Sequence, residues 1–429
     1  MTTYLKKIKN IIKKNKKLYK MVTDIVKFTR DNYFICKTKL KIRSMLDSHE
    51  KLGIYHVNSV KNFCKSNNFL IKVVEEKQLR KVFVPKYFGD LEKEKICLIE
   101  SPEIYIAEML DVEIIGENCF ILKDNNCLYD MNEMENSHRF DLRFSSLKGI
   151  NKRNEALIVS AKAEADIKEG IFLIGNAASN YYHLTFEILS KLKYIDSEIK
   201  YADIPILIDE ITCKVPQFHQ LLLCLNKFNR EIIQIKKGER YKIDKLIYLS
   251  EISWLPINVK DSVNLRNEDF RIAKAGMNYL REIVFAKKEI TSCEEGNLKL
   301  FISRRTQYMQ RLVNEKEVAE MFQQFGFVII YPEEMSFDEQ VDLFSKARYV
   351  AGTSGAALTN ILYCPIKTVL ICIIPKEYGF NLYSSIGNHI GIESLFLDAK
   401  VIKKGNKISA DNFKLDINYC QDFLNTLND

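Results

Sequence analysis

The sequence predicts an α/β protein built as two doubly wound units in series. Three observations predict it. From residue 170 onward, short apolar runs alternate with helix-compatible stretches of about 10–15 residues, the pattern of βαβ units around a parallel sheet. A polar hinge, Ser292-Cys-Glu-Glu-Gly-Asn297, interrupts the alternation once before it resumes. Polar clusters gather where the apolar runs of the second series end, and open parallel sheets bind their ligands beyond those ends.

In chain order, residues 1–50 read as one or two basic helices. Residues 1–20 hold eight lysines and no acid, with Leu5, Ile8, Ile12, Tyr19 and Val22 at helical spacing. Such a basic amphipathic segment suits an anionic membrane surface, and equally a solvated Lys-rich terminus. Residues 51–165 alternate short β-like runs, such as Lys81 to Pro85 and Cys119 to Leu122, with charged and Asn-rich turns, an irregular α+β lead-in. The first wound unit is expected over 166–290. Its strands are Ile171 to Ile174, Ile204 to Ile208, Ile232 to Ile235 and Lys245 to Leu249, with helices at Tyr181 to Tyr194, Pro216 to Phe228 and Glu268 to Lys288. The second is expected over 291–429. Strands at Leu298 to Ser303, Phe327 to Ile330, Tyr349 to Ala351 and Thr368 to Ile374 alternate with helices at Asn314 to Gln324, Ser336 to Ser345 and Ala356 to Tyr363.

Composition excludes several classes. A chain of 429 residues that is 47% hydrophobic has room for two or three packed domains. No apolar run approaches the roughly 18–20 residues that span a bilayer, and no secretory signal opens the chain, so a cytoplasmic location is expected. Eleven cysteines stand singly without a C-x-x-C pair, which fits a reducing compartment and argues against structural zinc. Cys364 and Cys372 sit in apolar company and read as core residues. The net charge of +8 does not make a nucleic-acid protein, because the basic stretch lacks interleaved aromatics and no binding motif follows.

Three clusters close the strands of the second unit: Ser303-Arg304-Arg305, Tyr331-Pro-Glu-Glu-Met335 and Gly352-Thr-Ser-Gly-Ala356. A strand-to-helix turn with two glycines presents backbone N–H groups and the positive end of a helix to an anion. Arg binds phosphate oxygens with a planar fork, and a carboxylate such as Glu334 suits ribose hydroxyls. Surface ion pairing accounts equally for the arginines, and helix N-terminal charge before Ser336 for Glu333 and Glu334. The glycine turn is not a nucleophile elbow, since Ala356 stands where that motif needs glycine. It is not a G-x-G-x-x-G fingerprint, and the chain has no G-x-x-x-x-G-K-[ST] loop. A serine hydrolase, a dehydrogenase and a P-loop NTPase are therefore disfavoured. In the first unit, Asn180-Tyr-Tyr-His183-Leu-Thr-Phe-Glu187 opens a helix after a strand. His183 and Glu187 share a face at i, i+4, so the carboxylate can orient the imidazole as a general base. A capping histidine would account for the same pattern. One His and one Glu are too few for a metal.

Together these clusters resemble the family 61 glycosyltransferases, which include bacterial capsule and surface-polysaccharide enzymes. That family pairs an N-x-x-H-x-x-x-[DE] helix start with a later S-R-R, a P-E-x-[LM]-[ST] turn and G-P-H-G-A-[GA]-L-[TS]-N. Here these are Asn180 to Glu187, Ser303 to Arg305, Pro332 to Ser336, and Gly352 to Asn360, whose Leu358-Thr359-Asn360 end also matches. The resemblance covers roughly residues 170–380. It implies a GT-B architecture, two Rossmann-like domains facing a cleft, with the acceptor on the first and a nucleotide-sugar donor on the second. It also implies inverting transfer to a carbohydrate or lipid-linked glycan hydroxyl, without metal or other cofactor. His183 and Glu187 are expected to be catalytic. Ser303, Arg304, Arg305, Glu334, Gly352, Thr353, Ser354, Gly355, Ala356, Thr359 and Asn360 are expected to hold the donor diphosphate and ribose. One departure stands out: the family commonly carries His where this chain has Thr353-Ser354. That leaves His183 as the base, and leaves open a non-catalytic protein that binds a glycan or partner on the same fold.

Overall fold

The computed structural model describes residues 50–427 apart from 91–94, 131–138, 140–142, 152, 162, 258, 260–264, 291–294, 306–309 and 406–409. The basic segment 1–20 lies outside the described residues. The strands before the first unit are β1 (Glu50–Asn58), β2 (Leu70–Glu75), β3 (Gln78–Phe83), β4 (Lys86–Tyr87), β5 (Ile96–Ser101), β6 (Ile104–Ile115), β7 (Ile121–Lys123), β8 (Asn126–Leu128), β9 (Leu147–Ile150) and β10 (Glu155–Ala161). The first unit adds β11 (Ala163–Leu173), β12 (Ile206–Asp209), β13 (Ile232–Ile235) and β14 (Arg240–Leu249). The second adds β15 (Leu298–Ile302), β16 (Val328–Ile330), β17 (Ala347–Thr353), β18 (Val369–Ile374), β19 (Glu393–Asp398), β20 (Lys400–Lys403) and β21 (Asn412–Lys414).

The fold is mixed α/β, and its two principal sheets account for the alternation. In the first, β13, β12, β11 and β14 lie side by side and parallel. Numbered by sequence this is the order 3-2-1-4, so the strand order reverses between β11 and β14. In the second, β16, β15, β17, β18 and β19 are parallel in the order 2-1-3-4-5, with the reversal between β15 and β17. Such reversals open a crevice at the strand C-terminal ends. Strands buried on both faces read as unbroken apolar runs, as β18 does. All six residues of β18 are buried.

Residues 51–165, expected as a separate irregular lead-in, are woven into both sheets. Strand β6 runs antiparallel beside β14 from Ile106 to Ile115, and β2 pairs with β6 in turn. Strand β4 adds itself parallel to the far edge of the second sheet, Tyr87 opposite Phe396. Local periodicity announces a strand but not its partner, so this placement was not legible in the sequence.

The two units also share a core. One continuous apolar cluster runs from Leu173, Leu192 and Leu221 to Ile330, Phe337 and Ile361. Helices Pro216–Leu225 and Lys274–Lys287 of the first unit carry its polar border. Gln217 donates to the Met335 carbonyl at 2.9 Å, the Phe337 N–H donates to Gln220 at 2.9 Å, and Lys288 pairs with Asp338 at 2.5 Å. The last expected helix of the first unit starts later than its pattern suggested. A 3₁₀ turn at Asn267–Asp269 precedes the α-helix at Lys274–Lys287. Cys364 and Cys372 are fully buried, and all described cysteines are free thiols.

Strand β3 is held to the second unit by helix Leu382–Ile390, where Phe83 meets the edge of His389 at 5.5 Å. Burial, then the cations Lys274, Arg80 and Lys81, push the His389 imidazole down to about 4. Its folded value lies below the ordinary 6.5, so the unfolded chain takes up the proton first as pH falls. Stability from this group is therefore present above pH 6.5 and lost on acidification from about 6.5 to 4. At about 1.4 kcal/mol per pH unit the ceiling is roughly 3 kcal/mol. Thermal melts of His389→Gln should show a shallower fall in Tm between pH 6.5 and 4.5 than the wild type. Parallel curves would refute this role.

Candidate active site

The two crevices converge on one another. After β11 the chain turns through Gly175 and Asn176, and Asn180 then caps the next helix by accepting from the Tyr182 N–H at 2.9 Å. That helix, residues 181–195, is not uniform. An α turn at Tyr181–His183 passes into a π-helical segment at Leu184–Ile188, then a 3₁₀ turn and a last α turn. Short π segments inside helices occur frequently at functional sites. Here the segment follows His183 directly and contains Glu187, the two residues expected to be catalytic. His183 Nδ1 and Glu187 Oε2 are 2.7 Å apart, and Glu187 Oε1 accepts from the Leu255 N–H at 2.7 Å. Both carboxylate oxygens are thus engaged, which fixes the imidazole ring and directs Nε2 away from Glu187. His183 is 6% exposed.

Behind Glu187 lies a cavity of about 50 Å³, lined among others by Asp130, Asn176, Lys191, Glu251 and Trp254. Burial lowers the Lys191 ammonium from its ordinary value, opposed chiefly by Glu251. Trp254 is the single tryptophan of the chain.

In the second unit the expected donor residues separate into three groups. Arg304 lies against the glycine turn: a Cβ at Gly355 would come within 2.6 Å of its Nη2, so a larger residue there would push the guanidinium end aside. Arg305 points elsewhere. Its guanidinium stacks on Tyr331 at 3.8 Å and pairs with Glu334 at 3.1 Å, both side chains more than half exposed. Its N–H donates to Glu333 at 2.9 Å. Ser303 donates its hydroxyl to the buried Glu315 at 2.7 Å.

The turn itself differs from the expectation in one respect. The Ser354 N–H donates to the Ile373 carbonyl of β18 at 3.1 Å, and its side chain is buried, so that N–H is not available to a ligand. The N–H groups of Gly355 and Ala356 meet no acceptor among the described residues. The buried Thr353 hydroxyl has none either. The following helix, Ala356–Tyr363, is 3₁₀ along its whole length.

Thr359 and Asn360 are fully buried. Asn360 accepts from the Tyr181 hydroxyl at 3.0 Å and donates to Gln340 at 2.7 Å, so its amide joins the two units. Burial, then the nearby Glu187 and Tyr383, raise the Tyr182 phenol, and the Tyr383 hydroxyl donates to the Gly355 carbonyl of the glycine turn. The start of the His183 helix therefore faces the Gly352–Gly355 turn across the interface.

Arg311 was not singled out from the sequence. It is partly buried, donates from Nη2 to the Ser354 carbonyl at 2.5 Å, and packs 5.4 Å from the centre of the Phe413 ring. Burial lowers its guanidinium, and the adjacent Arg304 charge adds to this. Six residues beyond the Ser-Arg-Arg cluster, it had no local signal. Among the described residues, no group of three or more His, Cys, Asp or Glu could hold a metal ion.

The site thus pairs an oriented histidine with a cationic turn whose backbone donors are open, an arrangement suited to moving a group off an anionic leaving group. A family model described as Glycosyltransferase 61 matches residues 181–371. That stretch carries every residue expected to be catalytic or to hold the donor. Comparison with curated proteins gives no match. This match supports a glycosyltransferase, an enzyme of the kind that would bind a donor and a glycan acceptor.

Proposed function

We propose that the enzyme transfers a sugar, with inversion, from a nucleotide-sugar donor to a carbohydrate hydroxyl, in surface-polysaccharide synthesis of the kind its motifs imply. The two sheets then act as the two domains of a GT-B enzyme, acceptor on the first and donor on the second. The observation that carries the reading is the pair of facing features: His183 held by Glu187 at 2.7 Å, and Arg304 set against the glycine turn.

The acceptor hydroxyl loses its proton to His183 Nε2 as its oxygen attacks the anomeric carbon from the face opposite the leaving diphosphate. The resulting imidazolium is stabilised through Nδ1–H by Glu187. The bond from the anomeric carbon to the diphosphate oxygen breaks, and the departing charge falls on Arg304 and the Gly355 and Ala356 N–H groups. Preorganised donors of this kind are worth about 3–4 kcal/mol each in a water-poor site. A cation already in place supplies the compensation that a divalent metal would otherwise give. Arg305 and Glu334, paired on the surface, stand at the rim where ribose would lie. Asn360 contributes by joining the units, and the fully buried Thr359 does not reach the donor.

No described helix is long and apolar enough to cross a membrane. The basic segment 1–20 supplies a reason to place the enzyme against an anionic surface, where a lipid-linked acceptor would lie. Removing residues 1–20 should release the protein from anionic liposomes in a flotation assay, and undiminished binding would refute that placement.

Arg304→Ala should weaken binding of UDP, GDP or CDP, whichever the wild type binds in calorimetry, tenfold or more. Unchanged affinity would remove Arg304 from the site. His183→Ala should lower turnover about 10²-fold in a nucleotide-release assay with a donor panel while leaving donor binding intact. Normal turnover would show that another group takes the proton.

A further inference from the structure

The glycine turn is held from behind by two side chains that no motif includes. The Ser354 carbonyl accepts from Arg311, and the Gly355 carbonyl accepts from the Tyr383 hydroxyl at 2.5 Å. Both peptides are trans, and in a planar trans peptide the C=O and N–H point in opposite directions. Tying back the Ser354 carbonyl therefore aims the Gly355 N–H outward, and tying back the Gly355 carbonyl does the same for the Ala356 N–H. These are the two donors of the turn that meet no acceptor among the described residues. The Ser354 N–H, whose orientation neither tie controls, is spent on Ile373.

We infer that Arg311 and Tyr383 are positioning residues that lock two successive backbone N–H groups toward a diphosphate. The inference rests on the donor-site reading above and specifies what holds that site in shape. Tyr383 is 2% exposed, on helix Leu382–Ile390, and its hydroxyl is engaged on the turn. Arg311 lies beside Arg304, and neither makes an ion pair among the described residues. Two neighbouring cations, both partly buried, concentrate positive charge behind the turn. An arriving dianion relieves that charge, whereas a neutral or cationic group would not. Fixing the donors beforehand removes the ordering cost that a free turn would incur on binding.

Ser354-Gly355 is the only Ser-Gly dipeptide in the chain. Full-length protein labelled with carbonyl-¹³C serine and ¹⁵N glycine therefore gives a single carbonyl-correlated amide resonance, that of Gly355. Titration with inorganic pyrophosphate, which carries no base or sugar, should move this resonance to saturation in the wild type. In Tyr383→Phe, which deletes only the hydroxyl, the midpoint should rise threefold or more with Tm nearly unchanged. Arg311→Lys, which keeps the charge but not the planar fork, should raise it likewise and serves if Tyr383→Phe folds poorly. A wild-type resonance indifferent to pyrophosphate would overturn the diphosphate seat and the lock together. Movement with equal midpoints in wild type and variants would overturn the lock alone.

Discussion

The buried amide of Asn360 is the constraint on which the arrangement of the site depends. With no exposure to water, each of its polar ends needs a protein partner, and an unpaired buried group costs about 1–3 kcal/mol. One partner, Tyr181, belongs to the first unit, and the other, Gln340, to the second. Gln340 in turn donates to the Pro332 carbonyl at 2.9 Å, which reaches the turn carrying Glu333 and Glu334. Satisfying one amide therefore fixes the start of the His183 helix, the 3₁₀ helix after the glycine turn and the loop beside Arg305 relative to one another. The apolar cluster shared by both units supplies the bulk of the attraction, but it is non-directional. The amide supplies register.

Around that joint, polar groups divide into those that shape backbone and those that remain open. Glu187 uses both oxygens, one on His183 and one on the Leu255 N–H. Ser303, Ser354 and Asn360 are likewise spent on protein partners. What is left unpaired at the turn among the described residues is the Arg304 guanidinium, two N–H groups and the Thr353 hydroxyl, all able to donate, which favours a negative ligand. Arg305 and Glu334 neutralise each other in solvent, where an ion pair adds little stability.

The segment before the first wound unit binds the halves together a second time. It gives β6 to one sheet and β4 to the other, and Arg80 of β3 donates to the Ile252 carbonyl at 2.8 Å beside Trp254. Ser384 and Ser385 bond the backbone of Phe83 from the helix that also carries Tyr383. Strain or loosening at β3 would therefore reach the helix that holds the glycine turn.

The sequence by itself determined the alternation of strands and helices, the polar residues at strand ends and the His183–Glu187 pair. Each of these is a local pattern: side-chain period, turn chemistry or i, i+4 spacing decides it. It also carried the motifs from Asn180 to Asn360 in order. Only the tertiary structure decided that Arg305 faces Tyr331 while Arg304 faces Gly355, although the two are adjacent and chemically identical. It alone showed that the Ser354 N–H is consumed by β18, that β4 crosses to the second sheet, and that Arg311 and Tyr383 meet the same turn from 43 and 28 residues away. Those outcomes depend on which carbonyl or ring a side chain finds across the fold. Spacing in a single chain cannot encode that, because the partners become neighbours only when both sheets have closed around their shared core.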